Sequence, residues 1–213
     1  MGDAIGWVWR WLQRAGAVRP GSRQASRFAG FGRKSMIAFP SAVLHGVDRI
    51  VIGSETTIGA YASLSTGMLV RLDQGTEPLL TIGDRCVIGK GSSIIAHAGI
   101  EIGDDVMTGP HVYITDQNHG YEDLDIPIGR QMWRNAPVRV GEGSWIGTGA
   151  VVLPGTTIGR HVVVAAGSVV RGEIPDYCVV AGVPARVIKR YVEGEGWIAP
   201  NKAVDQSPQE DRP

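Results

Sequence analysis

"VGEGSWIGTGAVVLPGTTIGRHVVVAAGSVV", Val140–Val170, has an aliphatic residue at every sixth position: Val140, Ile146, Val152, Ile158, Val164 and Val170. A small or short-branched residue keeps the same period four places later, at Ser144, Ala150, Thr156, Val162 and Ser168. Glycine or alanine follows the aliphatic residue at Gly141, Gly147, Gly159 and Ala165. A period of six matches neither the 3.6 of a helix nor the two of a plain strand. It is the period of a hexapeptide β-helix, in which each unit makes one side of a coil and then turns a corner. The aliphatic residue points inward and stacks on its equivalents above and below. The small residue also points inward, near the corner, where little volume remains. Val and Ile suit the extended, half-buried backbone. No unit buries its apolar side alone, so coils must stack to be stable.

The register continues upstream at Ile52-Gly53, Ile58-Gly59, Ile82-Gly83, Ile88-Gly89 and Ile102-Gly103. It breaks twice. The first break lies between Leu64 and Leu79, around the turn signal Asp73-Gln74-Gly75. The second follows Ile114, where "TDQNHGYEDLDIPIGRQMWRNAP" intervenes before Val138. A solenoid expels such an insertion as a surface loop, and surface loops often carry the binding face. The expected organisation is an extension over residues 1–45, a β-helix domain over 46–190 with its loop at 115–139, and a largely disordered tail over 191–213.

Four stretches resemble the hexapeptide-repeat acyltransferase superfamily, in its galactoside, maltose and nodulation O-acetyltransferase branch: "IGDDVMTGPHVYITDQNH" (Ile102–His119), "VGEGSWIGTGAVVLPGTTIG" (Val140–Gly159), "VVVAAGSVV" (Val162–Val170) and "VVAGVPARVIKR" (Val179–Arg190). The resemblance implies an all-β solenoid, a left-handed parallel β-helix. The left hand comes only from the resemblance, because parallel crossovers otherwise favour the right. It also implies a homotrimer with active sites between subunits, acyl-coenzyme A as a co-substrate that is not permanently bound, and a carbohydrate hydroxyl as acceptor.

By the same resemblance His119 is the general base. Moving an acyl group from a thioester to an alcohol requires a base near neutral pH, and histidine titrates in that range. The backbone amide of Thr148 is the implied oxyanion donor. Asn118, Asp116, His111, His97 and Glu122 are candidates for lining the acceptor site. Asp116, Glu122 and Asp123 are candidates for orienting the imidazole, against the plainer reading of structural salt links. Trp145, Gly147, Thr148, Ala166, Ser168 and Arg171 are expected to flank the pantetheine arm, with Arg186 and Lys189 near the phosphates. Two departures put the acceptor in doubt. Gln117 stands where the family often has a second histidine, and His111 where the galactoside type has asparagine.

Acetyl is the expected acyl group. Trp7, Trp9 and Trp11 together with Met132-Trp133 leave open a longer channel for a medium chain such as octanoyl. An N-acyltransferase acting on an amino-sugar and a catalytically silent scaffold subunit are the alternatives. A zinc-bound carbonic-anhydrase-like helix is disfavoured by the spacing of His97, His111 and His119, and no metal is expected.

Composition fits a cytoplasmic protein. The chain has 213 residues, 30 glycines, 43% hydrophobic residues and zero formal charge, which does not suggest nucleic-acid binding. Its two cysteines make no disulfide framework, and Cys86 occupies a small inward position. The charge is uneven. Residues 1–34 hold seven basic residues against Asp3 alone. Residues 3–16 have Ile5, Val8, Trp9 and Leu12 at helical spacing, which predicts an amphipathic helix. Its partner is either protein (the prism or a neighbouring subunit) or a membrane surface that it contacts peripherally.

Overall fold

The structure is a computed structural model that describes residues 2–67, 75 and 77–200. The expected turn at Asp73-Gln74 and the end of the expected disordered tail, from residue 201, lie outside the described residues. The chain begins with a helix, Gly2–Gly16, and then winds into a three-walled β-helix prism. Along each wall the strands pair in parallel with the coils above and below, apart from the closing C-terminal strands.

The stacking follows the six-residue register. On one wall Ile52, Ile82, Ile102, Val140, Ile158 and Ile174 form a continuous inward column. On a second, Ile58 pairs with Ile88, and Ile146 leads through Val164 to Val180. On the third, Leu64, Ile94, Ile114, Val152 and Val170 line up. All these residues are buried and form one core. Thr108 is the polar break in the second column, and its hydroxyl accepts the Gly89 N–H at 2.8 Å.

The small inward residues do more than save space. Ser144 Oγ donates to Gly159 O at 3.0 Å and accepts from Val162 N at 3.0 Å, so one hydroxyl fastens two coils. Thr56 does the same toward Gly83 O and Cys86 N. These corner groups are buried, so an unmade bond there would be costly. The glycine after each aliphatic residue has a clear steric reason. A Cβ on Gly109 would lie 2.6 Å from the Thr148 amide nitrogen of the next coil.

The coils begin earlier than the sequence register suggests. Gly30–Phe31, Met36–Ile37 and Val43–His45 already pair with the next coil, so the stack opens near residue 30 rather than 46. Ser35 keeps the small position, but Phe31 stands at an aliphatic one, which hides the repeat. At the other end, Ala185–Val192 folds back antiparallel on Cys178–Gly182, and Gly196–Ile198 pairs antiparallel with it in turn. The segment after 190 is therefore strand as far as Ile198, not disordered from 191.

Candidate active site

The loop after Ile114 is built as an arm. Gln117–His119 pairs antiparallel with Trp133–Asn135, placing His119 opposite Trp133 and Asn118 opposite Arg134. The base of the arm closes where Ala136 N donates to Asp116 O at 2.8 Å. Toward the tip, Gly120 N donates to Met132 O at 3.0 Å. Gln131 Nε2 donates to the carbonyls of Asp123 and Ile126, which fixes the turn. Glu122 pairs with Arg134 at 3.0 Å. Its carboxyl is held below the usual carboxylate range, chiefly by backbone N–H bonds from Tyr121 and Glu122. Asn118 and His119 are exposed on this arm, and Asn118 Oδ1 accepts the His119 N–H at 3.0 Å.

Two candidates for the acceptor site belong to the fold instead. Asp116 is fully buried, and its carboxylate accepts the backbone N–H groups of His97, Ala98 and Gly99 at 2.7–2.9 Å. Burial pushes its pKa up. The neighbouring His97 ring and the three amides outweigh that and hold it below the ordinary aspartate value. The His97 side chain is itself enclosed, with Nδ1 3.7 Å from Asp116 Oδ1, beyond hydrogen-bond reach. Asp116 therefore anchors the root of the arm, and neither residue presents an open surface to a ligand. Glu122, committed to Arg134, is the third candidate with a structural partner.

The remaining candidates gather by register. Gly109-Pro110-His111, Gly147-Thr148-Gly149 and Ala165-Ala166-Gly167 form successive turns of one corner, linked by Gly149 N to Pro110 O and Gly167 N to Thr148 O. His111 is exposed there, one coil before Thr148. Among the described residues the Thr148 N–H makes no hydrogen bond, and Thr148 is exposed at this corner. On the adjoining wall Trp145, Val163, Val179 and Lys189 stand in one outward row. Trp145 is 48% exposed. Arg171 and Arg186 are also exposed, and Arg186 Nη1 donates to its neighbour's carbonyl at Ala185. Ser168 does not belong with these. It is buried, and its Oγ accepts the Gly182 N–H at 3.2 Å.

Met132 is exposed on the arm, with Trp133 opposite His119. The cleft on the helix is lined by Ala4, Ile5, Val8, Trp9 and Leu12. Among the described residues no cluster of His, Cys, Asp or Glu is suited to hold a metal. The anchoring role of Asp116 was the part of the site missed in the sequence. Its only signal was a short acid placed where an inward column ends.

Comparison with known proteins fits this geometry. Residues 79–115 match the model described as hexapeptide repeat of succinyl-transferase, and 137–172 match bacterial transferase hexapeptide (six repeats). An Escherichia coli protein named for O-acetyl transfer in lipopolysaccharide biosynthesis, WbbJ, is 35% identical over 147 residues, covering 66% of this chain and 75% of the relative. The chain belongs to the hexapeptide-repeat acyltransferase family. An acetyltransferase-named protein of Mycobacterium tuberculosis is 39% identical over 136 residues, 64% of this chain but 44% of the relative's length. Galactoside O-acetyltransferase of E. coli is 35% identical over 102 residues, 46% of this chain and 47% of that enzyme. The chain thus spans less than half of the last two relatives.

Among solved structures, the hexapeptide-repeat acetyltransferase VCA0836 of Vibrio cholerae superposes with a TM-score of 0.51 at 25% identity, covering 78% of this chain and 76% of that one. AntD, an N-acyltransferase from Bacillus cereus crystallised with dTDP and 3-hydroxybutyryl-CoA, superposes with a TM-score of 0.66. It covers 78% of this chain and 85% of that one at 21% identity, a likeness of fold alone.

Proposed function

We propose that the protein is an acyl-CoA-dependent O-acyltransferase that moves an acetyl group to a hydroxyl of a carbohydrate or glycoside in the cytoplasm. The observation that carries this reading is the exposed His119 on a pinned two-stranded arm that leaves the prism. In the reaction His119 removes the acceptor's hydroxyl proton as its oxygen attacks the thioester carbonyl. The Thr148 N–H donates to the developing oxyanion. The intermediate collapses, the carbon–sulfur bond breaks, and the imidazolium returns the proton to the departing thiolate. The row Trp145–Val163–Val179–Lys189, with Arg171 and Arg186, suits a long ligand that has an apolar arm and anionic phosphates. Asn118 and His111 are the exposed groups available to acceptor hydroxyls.

The working form in this proposal is a homotrimer. One wall presents the outward row Val51, Thr81, Glu101, Arg139, Thr157 and Glu173, which is fit for solvent. The other two carry longer apolar runs: Thr57, Val87, Met107, Trp145, Val163, Val179 and Lys189 on one, and Val43, Ser63, Ser93, Tyr113, Val151 and Val169 on the other. Two walls with apolar runs and one charged wall suit packing of three prisms about an axis.

The test offers acyl-CoA donors of increasing chain length with panels of sugars, glycosides and amines, and locates the new bond by mass spectrometry. An ester from acetyl-CoA supports the proposal. An amide with no ester, or no transfer from any acyl-CoA, overturns it. His119→Ala is expected to lower turnover about 10²–10⁴-fold, the usual worth of a positioned base, with little change in donor affinity.

A further inference from the structure

The N-terminal helix is left unpartnered. It is tied to the prism at its C-terminal end, where Gly16 abuts the Phe39 ring and Val18 bridges to Ile37. Among the described residues it packs along no other element. Ile5, Trp7 and Trp11 are each more than half exposed, and Val8, Trp9 and Leu12 are exposed with them. At about 100° per residue, Val8, Leu12 and Ile5 sit at the middle of an apolar arc of roughly 200°. Trp9 lies at one edge of that arc, and Trp7 and Trp11 lie at the other. Arg10 and Arg14, four residues apart, hold the opposite side. Tryptophan at both borders of an aliphatic strip is the arrangement of a helix lying in a lipid interface, where the amphipathic ring sits at headgroup depth.

The charge identifies the surface that suits it. Seven basic residues stand against one acid in residues 1–34, whereas fourteen stand against twenty acids in the remainder. The chain as a whole is neutral but strongly divided, with its positive end beside the helix. Arg10, Arg14, Arg19, Arg23 and Arg27 are exposed, and among the described residues none of them makes an ion pair. A second copy of this chain would bring the same positive charge to the interface. An anionic bilayer would neutralise it.

We propose that Gly2–Gly16 is a peripheral anchor that lays its Ile5/Val8/Leu12 strip, bordered by Trp7, Trp9 and Trp11, into an anionic lipid surface, with the arginines over the headgroups. No helix among the described residues is long and apolar enough to cross a membrane, so this contact is interfacial. The inference rests on the helix alone and not on the acyl-transfer reading.

Flotation of the full chain tests it. The protein should rise with phosphatidylcholine vesicles containing phosphatidylglycerol and stay behind with phosphatidylcholine alone. High salt should weaken the association. Arg10→Gln/Arg14→Gln should reduce partitioning, roughly fivefold for each arginine. Ile5→Glu/Leu12→Glu should abolish flotation while circular dichroism keeps its β signature. Failure of the unaltered chain to float, or equal flotation by Ile5→Glu/Leu12→Glu, would overturn the proposal. So would a fall in oligomer mass in that variant with flotation intact, because the strip would then be a contact between copies.

Discussion

Replacing Asp116 tests whether the arm is held at its root. Both carboxylate oxygens are engaged: Oδ2 takes the amides of Ala98 and Gly99 and shares that of His97 with Oδ1. Asparagine has one carbonyl oxygen, so it can keep part of this cluster while its NH₂ faces an N–H donor. Alanine leaves three amides without their acceptor. Hydrogen bonds to a charged group contribute about 1.5–3 kcal/mol each, and an orphaned buried donor costs about 1–3 kcal/mol. The Ala98 amide lies at an exposed residue and can be rehydrated, so Asp116→Ala should cost roughly 3–5 kcal/mol and Asp116→Asn about half that. For a chain of this size that is a loss of about 10 °C in melting temperature for the alanine variant. The assay is thermal melting by circular dichroism at fixed protein concentration, because oligomerisation makes the midpoint concentration-dependent. The pH dependence has a definite sign. The folded carboxyl titrates below its unfolded value, so its contribution is present above about pH 4 and is lost as pH falls through the folded pKa. The gap between the native protein and Asp116→Asn should therefore narrow in acid. An alanine variant melting within about 2 °C of the native protein would refute this account of the arm, since that is less than the smallest single-bond loss.

Gly109→Ala would put a Cβ 2.6 Å from both the Thr148 nitrogen and its Oγ1. Overpacking of this kind costs about 1–3 kcal/mol and should displace the Thr148 amide, lowering turnover more than it raises the donor KM. Cys86 and Cys178 are both buried, and burial pushes the Cys86 thiol pKa up. Neither should react with a thiol reagent near neutral pH in the folded protein, and both should react in denaturant; rapid native labelling would contradict the inward placement.

The prism was legible because a β-helix repeats one packing problem, so Val140 through Val170 announce themselves at a fixed interval. The first coil was hidden because Phe31 fills an inward position that is aliphatic in the later coils. His119 stood out by its neighbours "DQNH" and by its place in an insertion that the coils must expel, and it is exposed on the arm. Asp116 and His97 did not. They are polar residues that ordinarily signal a surface, and only the folded corner shows three amides converging on one carboxylate. The N-terminal helix could be read from its spacing, but nothing in the spacing told whether protein or lipid would cover it.

The way the chain ends its coils has a consequence for the protein in crowded solution. A stack of parallel strands leaves a row of unsatisfied amides and carbonyls at each end, a template on which another stack could continue. Here the last coil is covered by strands running the opposite way, Ala185–Val192 and Gly196–Ile198, whose direction and spacing break the six-residue register. At the other end Val18 reaches Ile37 by a single antiparallel bridge. Both devices act on the same wall, so that wall offers no coil-shaped continuation at either end, while Gly30–Phe31, Val43–His45, Val169–Val170 and Glu173–Ile174 remain the edge strands of the other two. Removing the closing strands would expose Val179 and Val180 as a third free edge at that end and extend the template on which another strand could pair.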